Sequence, residues 1–193
     1  MRSMSPMGRA MLLLLIQATL VLSIAGKYLY ERKTCPRVWV RAAQYEPNAP
    51  LRGRYLAMQL AVDACGLPRN EGHQYRYAVP SSYAAPSVTA LAASWQWTVR
   101  LEVRGGKLVP ILASDTDRPE MTDELTVWRD RPCERATLSQ GVEYFISDTA
   151  KSPFPSKKGE ELWVEVTVPP MGPPRPIQLA VSKDGVFTPL VLR

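Results

Sequence analysis

At 193 residues, with 46% hydrophobic and 22% charged side chains, the chain can hold one ordinary domain plus an accessory segment and is too apolar to be disordered. Its net charge of +6 is local: Arg2 and Arg9 precede an apolar run, and Lys27, Arg32, Lys33, Arg37 and Arg41 follow it against Glu31 alone, whereas residues 42–193 hold 17 basic and 17 acidic side chains. Nucleic acid is therefore not an expected partner, and the basic excess sits where anionic lipid head groups would meet it.

Residues 1–9 form a short basic tail. Residues 10–26 (AMLLLLIQATLVLSIAG) carry no charge, with Gln17 their one strongly polar member, and reach the ~17–20 residues that a spanning helix needs. Tyr28, Leu29 and Tyr30 extend the run past Lys27, whose stem can snorkel. The rival reading is a secretory signal, with Arg2 and Arg9 as its basic region and Ser23-Ile24-Ala25 as a small-x-small site cleaved after Ala25. The run is long for a signal, so a retained anchor is expected, with the lipid bilayer as partner through residues 10–26. Two indicators of orientation oppose each other. More Lys and Arg follow the run than precede it, which favours a cytoplasmic domain, while the signal-like layout favours export. The expectation taken forward is a single pass of a cell inner membrane with the domain facing the periplasm.

Residues 27–41 read as a basic stalk, with 37–41 (RVWVR) opening the first strand, and residues 42–193 as the β-rich domain. Residues 45–50 (YEPNAP) form a turn-rich link. In residues 53–62 (GRYLAMQLAV), Leu56, Met58, Leu60 and Val62 share one face, and Tyr55, Ala57 and Gln59 the other. Residues 66–91, rich in Pro, Ser, Tyr and Ala, have weak periodicity and are expected to be a surface excursion. A hairpin follows, with strands 95–103 and 108–113 joined by Arg104-Gly105-Gly106-Lys107. Further strands are expected at 125–128, 142–146 and 162–168. A stiff proline turn at 169–176 then leads to 177–181, a turn at 182–185 (SKDG) and a last strand at 186–192. The predicted fold is all-β, an antiparallel barrel or sandwich of about eight short strands preceded by one N-terminal transmembrane helix.

Cys35, Cys65 and Cys133 have no C-x-x-C spacing, and His73 is the single histidine, so no metal site is expected. If a disulfide forms, it joins Cys65 to Cys133 and leaves Cys35 near the membrane; three unpaired thiols are the other reading. There is no P-loop, dinucleotide fingerprint or H-E-x-x-H, and no cofactor is expected. A hydrolase needs a nucleophile beside a base. Cys65 with His73 is one such pairing. Ser81, Ser82, Ser87 or Ser94 with Lys151, Lys157 or Lys158 would make a signal-peptidase-like Ser-Lys dyad, but none stands in a recognisable frame. Glu160-Glu161 and Asp115/Asp117 read as solubilising turn acids. No catalytic residue is assigned.

Trp95 and Trp97 share a strand face with Val99, Leu101 and Val103 and read as core aromatics, a ligand platform being the alternative. Trp163 alternates out of the Leu162, Val164, Val166, Val168 face, beside Glu165 and Thr167, and is the candidate exposed contact residue.

Residues 45–47 (YEP) followed by 51–60 (LRGRYLAMQL) carry a family resemblance. The stretch resembles the G-D-Y-x-x-L-x-Y motif of the GDYXXLXY-type membrane-anchored proteins, in which the motif follows an N-terminal helix and a proline-containing lead-in. Residues 141–146 (GVEYFI) look like that family's second apolar block, and 161–168 with 177–186 like its closing hairpin. Gly53 and Tyr55 are kept, Met58 replaces leucine, Leu60 replaces the second tyrosine, and Arg54 replaces the acid. Packing positions are retained while the acid is inverted, so Gly53, Tyr55, Met58 and Leu60 are expected to be structural. The resemblance implies a membrane-anchored envelope domain. The function expected is that of an accessory or interaction module, with an integral membrane protein as candidate partner; the alternatives are a membrane-tethered hydrolase and a secreted ligand-binding domain.

Overall fold

The computed structural model describes residues 6–44, 55–79, 90–129, 131–147 and 159–190. They fall into two compact units, Met1–Cys35 and Pro36–Arg193. The first is a single helix, α1 (Pro6–Thr34), whose apolar stretch has a mean hydropathy of 1.9 and buries nothing within the protein. Its 29 residues rise about 43 Å at the α-helical repeat. It is long and apolar enough to cross a membrane, and a signal sequence would meet the same criterion. Residues 27–34, expected as part of a stalk, continue the helix. Lys27 pairs with Glu31 one turn on at 3.8 Å, and Arg32 and Lys33 occupy the last turn, where cations complement the exposed carbonyls.

The second unit is built from eleven described strands: β1 (Arg37–Gln44), β2 (Tyr55–Val62), β3 (His73–Val79), β4 (Ala90–Arg104), β5 (Lys107–Leu112), β6 (Thr122–Trp128), β7 (Ala136–Leu138), β8 (Val142–Phe145), β9 (Glu160–Thr167), β10 (Arg175–Lys183) and β11 (Val186–Leu190). All pairings are antiparallel, in the order β11-β10-β9-β1-β2-β7-β6-β4-β3. β5 shares one edge of the long β4 with β3, and β8 shares one edge of β2 with β7. The path ends at β11 and β3, so the sheet is open and does not close into a barrel. It curves enough for β5 to pack on β1 and β2.

Three features depart from the expected layout. Within the stretch 66–91, expected as a surface excursion, β3 pairs with residues 90–96, which lengthens β4 at its start, and residues 80–89 lie outside the described residues. β7 leaves no signature in the sequence because three residues are too short to show a period; it exists because β2 and β6 flank it. The first strand runs to Gln44, three residues past the expected stalk boundary.

Strict alternation builds the core. β2 buries Leu56, Met58, Leu60 and Val62 in turn. Val38 and Val40 of β1, and Leu162, Val164 and Val166 of β9, complete the same layer with Trp97, Val99, Leu125 and Leu138. The Trp97 ring is buried, its Nε1 donating to the Pro68 carbonyl at 3.0 Å, and a Cβ at Gly72 would meet that ring at 2.6 Å. Trp95 is half-buried, with the Arg69 guanidinium 5.4 Å above its ring. Two hairpins close on two-residue turns, Gly105-Gly106 (φ 56° and 73°) and Asp184-Gly185 (φ 52° and 82°). Paired positive φ values mark the turn whose twist matches the strands, which is why glycine and aspartate occupy it.

Candidate functional site

The face of the sheet turned away from the core carries aromatic and charged side chains at registered positions. Arg41 stands across from Trp163, and Trp39 across from Glu165. Ala180 lies across from Trp163 on the other side, and Phe187 across from Ser182. Phe187 meets Trp163 edge-on, with centroids 5.2 Å apart at 71°, and Trp39 at 5.9 Å. Such an edge contact contributes about 0.5–1.5 kcal/mol beyond area burial. Ala180 and Ser182 belong to this outer face and are nonetheless buried.

Beside this ledge opens a cleft of about 380 Å³ between β1, β2, β9 and the turn at 131–135. The Arg41 guanidinium lies 5.5 Å above the Trp163 ring and reaches Glu161 Oε2 at 2.9 Å, while Arg135 reaches Glu161 Oε1 at 3.1 Å. Arg131 also lines the cleft, together with Glu160 and Glu161. Trp163, the expected exposed contact residue, is half-buried, as is Trp39; the β10–β11 hairpin lays Phe187 against Trp163, and Phe187 is the exposed ring of the cluster. Alternation along β9 assigns the face correctly, but it cannot show what a hairpin from further along the chain places there.

The residues of the family-like motif lie in β2. Tyr55 is half-buried across from Phe145, while Met58 and Leu60 are fully buried; Gly53 and Arg54 lie outside the described residues. Cys65 and Cys133 are joined by a disulfide with a Cα–Cα distance of 4.9 Å, and Cys35 is a free thiol. The bond staples the chain just beyond the Val62–Ala136 pair that ends the β2–β7 ladder, where Ala64 N donates to the Cys133 carbonyl at 2.9 Å. Glu134 lies close to both sulfurs, but sulfurs bonded to each other do not serve as thiolate ligands, so this cluster is not a metal set. The same bond removes Cys65 as a partner for His73, which is exposed at the start of β3. Ser94 is fully buried, and its hydroxyl has no hydrogen-bond partner among the described residues. Ser81, Ser82, Ser87, Lys151, Lys157 and Lys158 lie outside the described residues. Asp117 accepts from Ser114 N at 2.8 Å and pairs with Arg100 at 3.5 Å, which gives it a turn-stabilising role.

One buried acid is missing from the expectations drawn on sequence. Asp123 is 7% exposed and lines a cavity of about 220 Å³ beneath the proline loop after β9. Its Oδ1 accepts from the backbone N–H groups of Glu124 (2.7 Å) and Gln140 (3.2 Å), while Oδ2 has no partner among the described residues. Burial pushes the carboxyl up to about 6, against the lowering effect of those two hydrogen bonds and with a small upward contribution from the Glu124 charge. The signal in the sequence is that Asp123 falls in phase with the core-facing Leu125, a break in an otherwise apolar alternation.

Compared with family models, curated proteins and solved structures, the chain gives no match to any of them.

Proposed function

We propose that this chain is a single-pass envelope protein whose β-domain lies outside the cytoplasm and acts as an accessory or interaction module, docking on an integral membrane partner. The observation that carries the reading is the outer face on which Trp39, Trp163 and Phe187 cluster beside three arginines. Tryptophan, phenylalanine and arginine are the side chains enriched at protein interfaces, because they combine large contact area with directional polar groups. Export is supported by the Cys65–Cys133 bond, which suits an oxidising compartment, and the membrane anchor by the wholly unburied apolar helix. The resemblance to the GDYXXLXY-type proteins fits the same reading, since Tyr55, Met58 and Leu60 lie in a packed strand that positions this face.

The test is site-specific photocrosslinking in native membranes. A benzophenone side chain at position 187 should trap a discrete adduct with one membrane protein, whereas the same group at Thr116, in an exposed turn, should not. Equal labelling from both positions, or none from position 187, would count against a docking role.

A further inference from the structure

The cleft beside Trp163 is lined by three arginines and two glutamates. Each guanidinium offers five N–H donors and no acceptor, and Arg41, Arg131 and Arg135 converge there. Glu161 commits one oxygen to Arg41 and the other to Arg135. Among the described residues, Arg41 Nε and Trp163 Nε1, which stand directly opposed, are both buried and have no hydrogen-bond partner. Buried donors are ordinarily satisfied, and two neighbouring orphans next to an arginine-lined opening describe a site whose acceptor arrives with a ligand. Three cations against two carboxylates also leave the lining with one positive charge in excess.

Building on the reading of this face as a docking surface, we infer that the cleft receives a carboxylate side chain from an extended segment of the partner protein, whose next same-face residue is apolar and rests on the Trp39–Phe187 ledge. Guanidinium groups present a planar fork that matches a carboxylate. Arg41 lies 5.5 Å from the Trp163 ring, and that ring 5.2 Å from Phe187. Same-face side chains in an extended segment repeat at about 7 Å, so an acid and an apolar residue two positions apart reach the cleft and the ledge together.

The experiment uses the full chain in neutral detergent micelles and two probe peptides, acetyl-Glu-Ser-Leu-amide and acetyl-Gln-Ser-Leu-amide, with binding followed by calorimetry. The glutamate peptide should bind at least tenfold more tightly. Replacing Arg131 and Arg135 together by alanine should abolish that preference while leaving the thermal midpoint within a few degrees. Equal binding of the two peptides, or no binding of either, overturns the inference, yet leaves a Phe187 crosslink standing as evidence of docking. Inorganic phosphate competing as well as the glutamate peptide would make this a small-anion site and would also overturn it. Conversely, a preserved glutamate preference without any crosslink in membranes would refute the docking role alone.

Discussion

Met58 is fully buried in the middle of β2, while its neighbour Gln59 sits half-exposed on the opposite face. Truncating a buried, unbranched apolar side chain removes its transfer energy and leaves a partly uncollapsed cavity, so Met58→Ala should destabilise the domain by about 2–5 kcal/mol. Gln59→Ala should stay within about 0.5 kcal/mol. Denaturant melts of the two variants compare them directly, and similar losses would contradict the register. Asp123 gives a second test, through pH. Its carboxyl rises from 3.8 to about 6 on folding, so the folded domain holds that proton more tightly than the unfolded chain does. The stabilisation this brings is fully present below the unfolded value and is lost as pH climbs through the folded one. Asp123→Asn keeps the shape without the charge. It should be more stable than the parent by on the order of 3 kcal/mol at pH 7.5, with the gap closing by pH 4. A gap that does not change with pH would place the effect elsewhere. That burial is not readable from the residue type, since aspartate in a β-strand is ordinarily solvated; the proline loop that covers it comes from a distant segment downstream.

Among the elements, β2 is the hub. It pairs with β1 on one edge and with β7 and β8 on the other, and the disulfide closes the chain just past its end. The two cysteines are 68 residues apart in sequence, a separation for which the chain-entropy model gives about 4 kcal/mol of stabilisation. Replacing both by serine should lower the unfolding free energy by roughly that amount under oxidising conditions, and a reductant should bring the parent down to the variant. A variant as stable as the oxidised parent would mean that the loop it closes is already ordered in the unfolded chain. The hairpins at Gly105-Gly106 and Asp184-Gly185 depend on local chemistry, which is why both turns are legible in the residue order itself. β3 and β7 depend on partners contributed by distant segments, and no local pattern announces either.

For the whole molecule, the decisive question is where the domain resides. Protease added to intact spheroplasts should digest the residues beyond α1 and leave a membrane-bound fragment that retains an N-terminal tag. Protection of the domain would place it in the cytoplasm, in agreement with the basic residues that follow the apolar run. A mature chain beginning at Gly26 would identify residues 1–25 as a cleaved signal and the domain as a secreted one.

What residue order alone determined was whatever has a short period or a local turn. An uncharged run marked α1, two-residue alternation marked the buried faces of β2, β4 and β9, and glycine-containing dipeptides marked two hairpins. Each is a property of neighbours along the chain, so it survives without knowledge of what packs against it. Only the tertiary structure decided that the sheet stays open, that Phe187 from the last hairpin covers Trp163, that Arg41 and Arg135 share Glu161, and that Asp123 is buried beside the proline loop. All four join residues far apart in sequence, and such contacts are set by strand order and sheet curvature, for which no local pattern exists.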